Sequence, residues 1–146
     1  MDSQKTQTFI EKLSKETINS NIKWARATQY ETMDYSSNPE VAKIFFSNEY
    51  CQIDFVNSYF APIQSGTIYI IFENINSGRN GICYRNYKLY IKTSDNKVSP
   101  LSCKQEVICQ LVNSIKSYLA REDQSLENFI DSYLSSSEVS SEDIHQ

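Results

Sequence analysis

Residues with the right chemistry for catalysis are few in this chain of 146 residues, and their spacing is poor. Its one histidine, His145, is next to last, so a Ser-His-Asp or Cys-His arrangement has no imidazole held within a core. The four cysteines (Cys51, Cys83, Cys103, Cys109) form no CxxC pair and have no histidine beside them to complete a zinc site, so they read as small, mostly buried apolar residues. With three glycines there is neither GxxxxGK[ST] nor GxGxxG, and Ser77-Gly78-Arg79-Asn80-Gly81 reads as a turn between strands, not a phosphate cradle. Two catalytic options remain: Asp54 and Glu73 on neighbouring strands as an acid and base pair, or a Cys83 thiol activated by Arg79 and Arg85 without a general base. Neither has a third polar group to build on. The expectation is no enzyme, no cofactor and no metal.

Charge distribution carries more information than motifs. From residue 122 onward there are seven acids (Glu122, Asp123, Glu127, Asp131, Glu138, Glu142, Asp143) and no Lys or Arg, while the first 121 residues hold all 14 bases against 11 acids. Residues 79–104 concentrate six of those bases against Asp95 alone. Such asymmetry points to an electrostatic field used on a partner. Two surfaces follow from it. The first is acidic, with Glu122, Asp123, Glu127 and Asp131 engaging a basic protein surface. The second is a strand face on which Tyr84, Lys88, Tyr90 and Lys92 alternate, with Arg79 nearby, a composition suited to stacking bases and neutralising phosphates of single-stranded nucleic acid or a nucleotide. A net charge of −4 and a pI near 5.0 weigh against the second.

These surfaces must be positioned by an ordinary globular core: 40% hydrophobic and 22% charged residues in one domain-sized chain. The fold class expected is α+β. Phe9, Ile10, Leu13, Thr17 and Ile18 recur at helical spacing and predict an N-terminal helix over about residues 5–19. Asn38 and Pro39 suit the cap and first position of a short helix bearing Val41, Ile44 and Phe45. Residues 50–94 predict a three-stranded antiparallel meander (50–60, 67–74, 82–93), with Tyr87, Leu89 and Ile91 facing the core and the Tyr/Lys set facing away. Ser102 and Gln105 have capping-box spacing ahead of a helix bearing Val107, Ile108, Leu111, Ile115, Tyr118 and Leu119. Ser125 reads as the cap of a second C-terminal helix, with Leu126, Phe129, Ile130, Tyr133 and Leu134 on one side and Glu127 and Asp131 facing out. Helices then pack on one face of the sheet. Residues 1–134 form a single domain, and residues 135–146, acidic and Ser-rich, read as a disordered tail.

The N-terminus has no secretory pattern and no apolar run reaches bilayer length, so the expected compartment is the cytoplasm, with no membrane partner. Abundant Asn, Ile, Lys, Ser and Tyr fit an AT-rich coding source such as a low-GC bacterium or its phage. The functional expectation is a non-catalytic protein-interaction module. Size, sign and lack of catalytic residues match small acidic inhibitors of the anti-defence kind carried by mobile elements, which bind a partner's basic, nucleic-acid-binding surface.

Overall fold

The computed structural model describes residues 3–31, 38–76 and 83–145, with side chains except those of Cys83 and residues 137–145. The chain is α+β with an antiparallel sheet. α1 (Ser3–Ile18) leads to the two-residue strand β1 (Ala25–Arg26), a 3-10 turn (Ala27–Tyr30) and α2 (Pro39–Ile44). Then follow β2 (Cys51–Ile53), β3 (Tyr59–Ile63), β4 (Gly66–Asn76), β5 (Cys83–Thr93), β6 (Val98–Leu101) and α3 (Gln105–His145). The strand order is β1-β3-β4-β5-β6, with β2 also paired to β4, so three strands undercounts the sheet. The Ser77–Gly81 turn lies outside the described residues.

Side chains, not backbone pattern, account for the extra strands. The expected first strand is broken into β2 and β3 because Asp54 turns the chain: its carboxylate accepts from the Asn57 backbone N–H at 3.1 Å and from Asn57 Nδ2 at 2.7 Å. Ser58 then donates its hydroxyl to the Asp54 carbonyl at 2.7 Å and accepts from the Phe72 N–H at 2.8 Å. A hydroxyl takes the place of a ladder carbonyl. Residues 54–58 consequently lie opposite only Ile71 and Phe72, between the Ile53–Glu73 and Tyr59–Ile70 pairs. β6 contains Pro100, which suggests a turn, yet it is an edge strand, where a missing N–H is tolerated.

The core lies mainly on one sheet face, where Ile10 and Leu13 of α1 and Leu111 and Ile115 of α3 cover Ile68, Ile70 and Leu89. Tyr87 and Leu89 face this core as the alternation predicts. Helical cover is not confined to that face. Tyr30 and Val41 and Phe45, from the 3-10 turn and the α2 region, close over Tyr69 and Ile71 on the opposite side, with the Tyr30 and Phe45 rings stacked at 4.5 Å. Asn38 caps α2 as expected, its Oδ1 accepting from the Val41 N–H at 3.3 Å. The Trp24 indole donates to Thr17 Oγ1 at 2.9 Å, and among the described residues no buried side-chain polar atom is without a partner.

At Gly66, where β4 begins, an added Cβ would lie 2.1 Å from the Lys92 carbonyl oxygen on β5. Backbone cannot yield as a side-chain tip can. Gly66→Ala is expected to cost about 2 kcal/mol and to lower the thermal midpoint by about 6 °C, read from a melting curve.

The C-terminal helices are one, not two: α3 runs through Ser125 and on through the expected tail region to His145. Gln124 Nε2 donates to Asn128 Oδ1 at 2.9 Å, an i,i+4 bond that spans the expected break. The predicted capping box is also replaced. Gln105 turns away from Ser102 and pairs with Tyr87 of β5, its Oε1 accepting from the backbone N–H and its Nε2 donating to the carbonyl, both at 2.8 Å. One side-chain amide thus continues the ladder where β6 has ended.

Candidate protein-interaction surface

α3 changes character along its length. Up to Leu119 it carries the buried residues Ile108, Leu111, Val112, Ile115, Tyr118 and Leu119 on one face. From Ala120 to Ser136 every residue is exposed, a stretch of about 25 Å at helical rise. The stripe does not stop where the cover does. Leu126 is 60% exposed, Phe129 68%, Ile130 46%, Tyr133 65% and Leu134 55%. At 3.6 residues per turn these five span an arc of about 140°, in line with the buried face behind them.

The four acids singled out in this region divide by position. Asp123 Oδ2 meets Arg26 at 3.4 Å, and Arg121 donates to the Ile18 carbonyl at 3.3 Å, so the helix is tied to the domain at the last point where the two meet. Both partners of the Arg26–Asp123 pair are largely solvated, so it orients more than it stabilises. Glu122 lies beside it on the helix. Glu127 and Asp131, one turn apart, border one edge of the apolar arc and make no ion pair among the described residues. Ser125, Ser132 and Ser136 lie toward the other edge.

The second surface is placed as the alternation requires and largely occupied. Lys88 pairs opposite Ile71, Tyr90 opposite Tyr69 and Tyr84 opposite Ile75, all on the face away from α1 and α3. Tyr90 packs against the cluster of Tyr30, Phe45 and Tyr69, and Lys92 is half-buried. Lys88 Nζ lies 3.2 Å from Glu73 Oε1, which spends its charge within the sheet. Burial pulls Lys88 down and the Glu73 hydrogen bond and charge push it up, with a net rise. Only Tyr84, 56% exposed, presents an open ring, and Arg79 lies outside the described residues.

Asp54 and Glu73 are engaged with other partners, and the Cys83 arrangement with Arg79 lies outside the described residues. Asp54 holds Asn57, while Glu73, 3% exposed, receives Lys88, the Cys51 thiol at 3.2 Å and Asn86 at 3.5 Å. This Glu73 cluster was missed from sequence. Its signal was available: an acid among Tyr69, Ile71 and Ile75 on one strand face needs a cross-strand cation. Burial first and Glu73 second push the Cys51 thiol up, and burial pushes Cys103 up, both away from the reactive thiolate. Cys109, expected to be buried, is exposed, and the Cys83 side chain is not among those described. No group of three His, Cys, Asp or Glu among the described residues could hold a metal ion, and no helix there is long and apolar enough to cross a membrane.

Comparisons with protein-family models, with curated proteins and with solved structures found no match.

Proposed function

We propose that this chain is a non-catalytic protein-interaction module that docks through the distal half of α3 on a partner with a basic surface. The observation that carries this reading is the exposure of five large apolar side chains beside Glu127 and Asp131 on a helix whose nearer half buries the same face in the core. Covering such a side chain is worth about 1.5–3 kcal/mol, and contiguous exposed apolar surface of this kind marks contact sites. Inhibition or regulation is the consistent role for a small acidic element on a basic surface, including one that otherwise holds nucleic acid in a defence or replication enzyme. The Tyr/Lys sheet face has weaker support, since Lys88 is neutralised and Tyr90 covered.

The test is recovery of partners by the tagged protein from host lysate at moderate salt, with and without nuclease. Wild type is expected to retain a stoichiometric protein that survives nuclease, and Glu127→Lys with Asp131→Lys to weaken its retention at least tenfold. Nucleic acid recovered instead, lost on nuclease treatment and abolished by Lys88→Glu with Tyr90→Ala, would move the function to the sheet.

A further inference from the structure

We infer that the surface receiving α3 is an apolar groove whose cationic residues run along one rim only, the rim that lies against Glu127 and Asp131. The inference rests on the reading of α3 as the docking element and adds the shape and charge pattern of its partner. Width sets the shape. A single helix packed side by side covers a narrow seam of a and d positions, whereas five side chains over about 140° of arc face two walls at once, as in helix-in-groove recognition. Leu126 to Leu134 spans about two and a half turns, so a partner must reach around the helix to bury it all.

Charge excludes the simplest alternative, a second copy. Nearer the domain, the same helix face is already covered by α1 and the sheet, so two copies can pair only antiparallel through their distal halves. Antiparallel pairing sets each flank against its equivalent, bringing Glu127 and Asp131 of one copy against those of the other. No Lys or Arg follows residue 121 to relieve this. An anionic bilayer is opposed by the same acids. Alongside Leu126 to Leu134 the opposite flank, with Ser125, Ser132 and Ser136, asks for no cation, and Glu122 lies a turn before the stripe, beside the domain. Charge on one edge alone also fixes which way the helix lies in the groove.

A photo-crosslinking residue placed at Phe129 of the full chain, expressed in the native host, supplies the test, with crosslinked peptides mapped by mass spectrometry and affinity then measured on the protein so identified. Crosslinks are expected at apolar residues of one protein. Glu127→Gln with Asp131→Asn is expected to weaken binding at least tenfold at low salt, and Ser132→Asp less than threefold. If Phe129 crosslinks but the two flanks respond alike, or neutralising the acids has no effect, the one-sided rim is wrong and the docking reading stands. Crosslinks between two copies would make the occupant a second chain. Absence of any crosslink would sink both.

Discussion

Replacing Phe129 and Tyr133 together by serine is expected to leave the thermal midpoint within about 2 °C of wild type, while Ile115→Ala lowers it by about 10 °C. All three side chains lie on one helix face, yet Ile115 is 0% exposed and the other two are 68% and 65% exposed. Truncating a buried isoleucine loses transfer free energy and leaves a cavity, about 2–5 kcal/mol. An exposed ring contributes neither term, and serine ranks with phenylalanine and tyrosine in helix propensity, so the helix itself is not penalised. Binding is expected to respond the other way. Aromatic anchors at an interface each carry about 2–4 kcal/mol, so the double serine variant should lose partner binding by at least 100-fold while Ile115→Ala, at temperatures where it is folded, retains it. Thermal melts and affinity measurements on the same preparations check both halves. A double serine variant that melts as low as Ile115→Ala would mean that the stripe belongs to the fold and not to a partner.

The two halves of α3's apolar face differ only in what covers them, and that is why sequence could locate the stripe without saying that it is bare. Periodicity reports which side chains want to leave water, and Leu126 to Leu134 satisfy it as well as Ile108 to Leu119 do. The same limit explains the split helix: Ser125 is a good cap, but capping acts only where the backbone must stop, and Gln124 to Asn128 bridges the place. Strict alternation in β4 and β5 was legible, including which face each of Tyr87, Lys88, Leu89 and Tyr90 takes. The division of β2 from β3 was not, because it depends on Ser58 acting as a ladder acceptor for Phe72, fourteen residues away. Nor was the cover supplied by Tyr30, in a stretch with no period, and by Phe45, whose short helix was legible but not the sheet face it would close over. It is this cover that draws the partly buried Tyr90 of the predicted Tyr/Lys face into a second packed layer with Tyr69 and Ile71.

Lys88→Met is expected to destabilise the protein by about 2 kcal/mol at pH 7, less than the 3–5 kcal/mol typical of breaking a fully buried pair. Lys88's side chain is 48% exposed, and Asn86 and the Cys51 thiol still donate to Glu73 when the ammonium is gone. Methionine keeps most of the length and apolar contact of the lysine stem, so the loss reports charge. The pH dependence has a definite sign. Lys88 is held above its usual 10.5, so its contribution is complete below that value and is lost as pH rises through the higher folded value. The stability difference is therefore constant up to about pH 10.5 and closes above it. Adding Glu73→Gln to Lys88→Met is expected to restore at least half of the loss, because the amide fills the same space without a charge to solvate. Denaturant unfolding at pH 7, 9 and 11.5 measures all three proteins. A difference that stays constant across that range, unrelieved by the glutamine, would show that Lys88 stabilises the sheet by packing alone.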